Sequence, residues 1–192
     1  MVRYEYSRPG GLLHLDIKKL GRFRQPGHRV TGDRQVSSRG IGWEYVHVAI
    51  DDASRIAFSA IYADERGRSA CAFLIQALRY YASLGIRIER VMTDNGACCK
   101  SGRFRRLCRR LGLCHLRTKP YTPRTNGKAE RFIQTSLREW AYARAYESSE
   151  QRAAHLPLWL HQYNWHRPHA SHDYRPPISR LASVNNLVGL HT

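Results

Sequence analysis

Ile86-Arg87-Ile88-Glu89-Arg90-Val91-Met92-Thr93-Asp94-Asn95-Gly96 reads as a strand running straight into a tight turn. It delivers Asp94 at its carboxyl end, where open α/β sheets gather their functional groups. Upstream, Ala70, Phe73, Leu74, Ala77, Leu78 and Tyr81 recur at helical spacing until Gly85 stops the pattern, so a helix laid on the sheet precedes the strand. Downstream, Arg103 to Leu111 reads as a short basic helix closed by Gly112, and Leu113 to Thr118 as a further strand.

Three more strands come before. Leu12-Leu13-His14-Leu15-Asp16-Ile17, bounded by Gly10-Gly11 and a basic run, is the first and carries Asp16. Tyr45 to Ile50 and Ile56 to Tyr62 are the second and third, and Asp51-Asp52-Ala53-Ser54-Arg55 between them is a hairpin turn by composition. Residues 21 to 42 lack apolar periodicity and carry Arg22, Arg24, Arg29, Arg34 and Arg39, a long loop that can track phosphates through Arg29 and Arg34. After the fifth strand comes a loop with Pro120 and Pro123, then a helix from about Gly127 to Ala145 with Asn126 as its cap. A last helix spans Ser149 or Glu150 to Asn164, with Pro157 as a break or restart, followed by an irregular tail. That order of elements is an α/β domain with mixed strand pairing.

The chain has 192 residues, enough for one core. We divide it into an extension (1–11), a core (12–170) and a tail (171–192). Against 15 Asp and Glu stand 32 Lys and Arg, a net +17, which points to a polyanionic partner such as nucleic acid. Five cysteines, with no Cys-x-x-Cys pair and no secretory signal, fit reduced thiols in a cytoplasmic protein; Cys108, Cys114 and His115 match no standard zinc spacing. No apolar run reaches the roughly 18 residues of a membrane helix.

Few acids remain in so basic a chain. Asp16 lies on the first strand, Asp94 at the end of the fourth, and Glu130 in Asn126-Gly127-Lys128-Ala129-Glu130-Arg131, with 35 residues between the last two. Three converging carboxylates are the usual way to hold two divalent ions about 4 Å apart for phosphodiester cleavage, and magnesium suits hard oxygen ligands. Each acid also has an ordinary explanation: a strand-end carboxylate beside Lys18 and Lys19, an Asx-turn, and a complement to a helix dipole.

The ordered set, together with Pro120-Tyr121-Thr122-Pro123-Arg124-Thr125-Asn126-Gly127, Tyr163-Asn164-Trp165-His166-Arg167-Pro168-His169 and Pro176-Pro177-Ile178-Ser179-Arg180-Leu181, resembles the catalytic domain of bacterial DDE insertion-sequence transposases, in the retroviral-integrase superfamily. The resemblance runs from about Leu12 to about Leu181. It implies a ribonuclease H-like fold, a five-stranded mixed sheet flanked by helices, with Asp16, Asp94 and Glu130 as catalytic, metal-holding acids. It also implies two Mg2+ ions, with Mn2+ able to substitute, DNA hydrolysis and strand transfer, and a homo-oligomer on DNA. Lys119, Arg124, Lys128, Arg131 and Arg138 become the expected DNA contacts; Leu137 stands where many relatives have a basic residue, so the neighbouring Arg138 is a departure from the pattern. Full-length relatives carry an amino-terminal helix-turn-helix region, and the first strand here begins about ten residues from Met1, so a truncated, non-catalytic DNA-binding remnant is the alternative. The cluster Trp165, His166, Arg167 and His169 is expected to lock the last helix to the domain, and His14 and His115 to be satisfied strand residues.

Overall fold

The computed structural model describes residues 5–26, 41–118 and 126–181. Arg29, Arg34, Lys119 and Arg124 lie outside the described residues. Five strands, β1 (Leu13–Gly21), β2 (Trp43–Asp51), β3 (Ala57–Tyr62), β4 (Arg90–Thr93) and β5 (Cys114–Arg117), form one sheet in the order β3-β2-β1-β4-β5. The first three are an antiparallel meander, and β4 and β5 run parallel to β1. This is the mixed five-stranded sheet that the resemblance implies.

Alternation along the strands builds two cores. Leu13 and Leu15 of β1 join Ala49 and Val91 in packing against Ala70, Phe73, Leu74, Ala77 and Tyr81 of helix α1 (Gly67–Ser83). The short α2 (Ala97–Lys100) follows β4, and α3 (Gly102–Arg110) adds Phe104 and Cys108 to the same side. On the opposite face Leu20, Val46, Val48 and Ile50 pack against α4 (Gly127–Ser136) and α5 (Ser149–Trp165) through Ala129, Phe132, Ile133, Trp159 and Tyr163. Ile178 and Leu181, in a 3₁₀ turn over Pro177–Leu181, reach back to the first core.

Several elements differ from the sequence reading. The expected fourth strand from Ile86 pairs as a ladder only over Arg90–Thr93; Ile86 and Ile88 are still buried, but Ile86 N–H donates to Tyr81 O at the end of α1 and Glu89 N–H to Gly10 O, outside the strand ladder. Gly10 sits at φ +87 with its α-carbon pressed on the Arg87 carbonyl, an approach that a side chain would block. The α4 helix stops at Ser136 and widens into a π turn over Leu137–Ala141, well short of Ala145. That turn rotates Trp140 fully inside, where its indole N–H donates to Arg152 O at 2.9 Å. Pro157 does not break α5: it lies on the solvent side, where its missing donor and the Ala153 carbonyl cost little, while Leu156, Trp159 and Leu160 keep their buried register.

A buried ion pair joins the second layer to the sheet. Arg152 on α5 donates to Glu44 at 2.6 Å and to Gly21 O at 2.8 Å, with both side chains inside. Among the described residues no helix is long and apolar enough to cross a membrane. Arg152→Ala leaves Glu44 buried without a countercharge, so urea titration should show a loss of about 3–5 kcal/mol; a loss under about 1 kcal/mol would contradict a dry, desolvated pair.

Candidate active site

Strand register brings the first two acids together. The parallel pairs Leu13↔Val91 and His14↔Met92, continued two residues further along both strands, set Asp16 beside Asp94 on one face of the sheet. Ladder pairing ends at His14 and Met92, and where the strands part a cleft of about 220 Å³ opens, lined by Asp16, Asp94, Glu65, His47, Cys98 and Cys99. Asp94 lies in a turn whose geometry depends on Gly96: the Gly96 N–H donates to Asp94 Oδ1 at 2.9 Å, and a β-carbon at Gly96 would meet the same oxygen. The even residues of β1 face the α4 layer, and Glu130 is in the first turn of α4, exposed, beside the buried Ala129.

Electrostatics ties the three acids. Burial is the largest influence on Asp16 and pushes its carboxyl up, the Ile17 N–H at 2.7 Å pulls the other way, and the charges of Asp94 and Glu130 push it further, to about 6. Among the described residues no lysine or arginine forms an ion pair with Asp16, Asp94 or Glu130. Only the charge of Lys18, which forms no ion pair with it, offsets the two like charges on this half-buried carboxylate; divalent cations would relieve such a site, and its hard oxygen donors fit magnesium. Among the described residues no three His, Cys, Asp or Glu side chains close around one point as ion ligands. Asp16 and Asp94 share the cleft, while Glu130, in the first turn of α4, acts on Asp16 through its charge.

A buried network fixes the start of α4. Asp52 sits at the tip of the β2–β3 hairpin and is almost fully enclosed. Its carboxylate accepts from the Tyr6 N–H at 2.7 Å, faces His14 Nε2 at 2.8 Å, and takes the Lys128 ammonium. His14 Nδ1 faces Asn126 Oδ1 at 3.1 Å, and Asn126 Nδ2 donates to Leu15 O at 3.2 Å. Burial works against ionising Asp52, but the contacts from His14, Lys128 and Tyr6 outweigh it and hold the carboxyl down at about 2. Residues 126 and 128, at the start of the Glu130 helix, are thereby tied to residues 14 and 15, next to Asp16.

Three expectations change in this light. Asn126 occupies the cap position of α4, yet its side chain makes no cap hydrogen bond because it is committed to His14 and Leu15. Lys128, expected as a DNA contact, turns its ammonium inward to the Asp52 carboxylate and carbonyl. Asp51 and Asp52 do more than shape a hairpin: Asp51 holds the turn through Ser54 and Gly10, whereas Asp52 reaches the acidic site. The sequence signal for Asp52 was two adjacent acids in a chain with few, but its partners are 38 and 76 residues away. Arg131 and Arg138 are exposed as DNA contacts require, and Arg138 also touches Glu139 at 3.1 Å. Glu139 is clasped at both oxygens by Arg167 at 2.8 Å, and Leu137 packs on the second core. Arg167 thus fastens the end of α5 to the domain. His115 is held by Thr93 Oγ1 at 2.9 Å and packs edge-on against Phe104.

Two predictions follow the charges. The raised Asp16 group penalises folding only where it is ionised, so the cost is absent below about pH 4, grows towards pH 6 and is constant above. Asp16→Asn should therefore unfold on the order of 1–3 kcal/mol later than wild type at pH 8, with the gap closing by pH 4; a gap independent of pH would refute the assigned cause. Asp52→Ala strips His14 and Lys128 of their buried acceptor and should cost about 3 kcal/mol in denaturant titrations at pH 7, whereas a neutral result would show the network to be slack.

Comparison with known proteins agrees with this fold. Two models described as "Integrase core domain" match, one over residues 7–123 and one over 111–177. Transposase InsD for insertion element IS2A/D/F/H/I/K of Escherichia coli is 34% identical over 91 residues, 47% of this chain and 30% of that protein. Transposase InsD for insertion element IS2D of Escherichia coli strain K12 matches to the same extent, so the matched stretch is about a third of these relatives' length. Among solved structures, the catalytic core domain of BIV integrase aligns over 91% of this chain and 95% of its own, with a TM-score of 0.61 at 18% identity. A simian T-cell lymphotropic virus intasome structure, determined with PP2A regulatory subunit B56 gamma, aligns over 96% of this chain and 58% of its own at a TM-score of 0.68 and 20% identity. The fold is that of retroviral integrase catalytic cores, ribonuclease H-like, and the chain belongs to the integrase core domain family.

Proposed function

We propose that this domain is the catalytic core of a bacterial DNA transposase, cutting a phosphodiester at the end of a mobile element and joining the freed 3′-hydroxyl to target DNA. The observation that carries the reading is the convergence of Asp16 and Asp94 on one cleft, with Glu130 close enough to raise the Asp16 carboxyl further.

In this reading Asp16 and Asp94 are the fixed ligands, held by a strand and a glycine turn. Glu130 closes the set from the first turn of α4. Magnesium, or manganese in its place, would be held by these carboxylates and would supply the activation of the attacking oxygen and the stabilisation of the leaving one. The chain's own part is preorganisation: a rigid β1, a turn that aims Asp94, and the Asp52 network that fixes the start of the Glu130 helix. Arg131 and Arg138 contact incoming phosphates, and Lys119 and Arg124, which precede Asn126 in the sequence, are assigned the same role. No covalent enzyme intermediate is needed, because each step is an in-line displacement by water or by a DNA hydroxyl. Two element ends need two active sites, so the working form is a homo-oligomer on DNA in the bacterial cytoplasm.

The test uses labelled element-end oligonucleotides, a supercoiled plasmid and magnesium. The wild-type chain should give joined products, and Asp94→Asn and Glu130→Gln should each lower nicking and joining by about two orders of magnitude, equivalent to about 3 kcal/mol of barrier. Unchanged activity in Asp94→Asn would overturn the assignment. Nicks without joining would favour a plain nuclease, and retarded mobility without cleavage a DNA-binding remnant. Independently, magnesium should raise the melting temperature of wild type and leave that of Asp16→Asn unmoved.

A further inference from the structure

The structure assigns α3 as a second DNA-backbone surface, distinct from the α4 face and continuous with the cleft. This inference deepens the reading above by naming where duplex DNA lies against the domain, and it rests on DNA being the partner.

The pattern is in the sequence Gly102-Arg103-Phe104-Arg105-Arg106-Leu107-Cys108-Arg109-Arg110. At about 100° per residue, Phe104, Leu107 and Cys108 fall on one side of the helix and the five arginines fill the other over an arc of roughly 160°. The structure follows that division: Phe104 and Cys108 are buried in the first core with Leu107 packed against it, and Arg103, Arg105, Arg106, Arg109 and Arg110 are all exposed. Lys100, in the last turn of α2, adds a sixth cation just ahead.

What separates this face from an ordinary solvated one is five arginines gathered on one short helix with, among the described residues, no acid paired to any of them. Arg8, Arg22, Arg55, Arg90, Arg152 and Arg167 each meet a glutamate. Among the described residues none of the five α3 arginines pairs with an acid, and the helix carries no acid of its own. Arg109 and Arg110 suit the carboxyl end of the helix dipole, but Arg103, Arg105 and Arg106 occupy the half where cations are disfavoured, and the i, i+3 and i, i+4 neighbours repel. Bound phosphates would relieve both strains. Five guanidinium groups, rather than ammonium groups, are also the donors that match phosphate oxygens in pairs.

Placement connects the face to the chemistry. Phe104 at the start of α3 lines the same cleft as Asp16 and Asp94, and only the α2 turn and Ser101 separate Gly96 from α3. Nine residues make a helix about 13 Å long, alongside which duplex DNA carries about eight phosphate charges.

The test is the salt dependence of duplex binding by the whole chain in EDTA, so that it reads binding whether or not the protein cleaves. Each phosphate contact contributes about 0.9 to the slope of log K against log salt. Replacing Arg105, Arg106 and Arg109 by Gln should lower the slope by about 2 to 3, while replacing the same three by Lys should keep it within about 1 of wild type. A charge-matched control, Arg68, Arg79 and Arg144 to Gln, should change it by less than about 1. Circular dichroism confirms that each variant is folded. An unchanged slope in the α3 variant, or an equal fall in the control, would overturn the surface while leaving the catalytic reading to the nicking assay.

Discussion

One buried carboxylate, Asp52, links the parts of this protein that have to be held in register. It meets the amino-terminal segment at Tyr6, β1 at His14 and the start of α4 at Lys128, and through His14 it reaches Asn126. A charge so enclosed is tolerable only when each partner is in place, because removing any of them leaves a desolvated group behind. The network is therefore cooperative: the hairpin tip, the first strand and the α4 entrance are fixed together or not at all. The two elements it joins, β1 and α4, are those that carry Asp16 and Glu130.

Charge elsewhere falls into two kinds. The buried pair of Arg152 with Glu44 and the part-exposed pair of Arg167 with Glu139 balance charge locally and join separate elements. The site and the α3 face are left unbalanced with opposite signs: Asp94 and Glu130 add like charge to Asp16 with only Lys18 acting against them, and the arginines of α3 have no acid on their own helix. Folding alone would discharge both. Metal ions and a phosphate backbone would neutralise them together, since cations in the cleft let polyanionic DNA approach carboxylates that would otherwise repel it.

The large-scale plan was legible because it is written in short-range patterns. Apolar alternation gave all five strands, and the spacing of Ala70 to Tyr81 gave α1. Asp94 at a strand end was readable for the same reason. What escaped depends on partners remote in sequence. Ile86 to Glu89 looks like strand, but its amides donate to the end of α1 and to Gly10; Leu137 to Ala141 looks like continuing helix, but burying Trp140 against Arg152 demands a wider turn. Pro157 looked like a break because its place on the solvent side is a tertiary fact. Lys128 looked like a free cation beside a catalytic acid, and only the fold brings Asp52 to it.

The most direct test of the account is anomalous diffraction from crystals of this domain soaked in manganese. The account predicts a peak between the carboxylates of Asp16 and Asp94, with Glu130 drawn inward to complete the coordination, and loss of that peak in Asp16→Asn. Manganese bound only elsewhere, or carboxylates that stay apart at saturating metal, would contradict it.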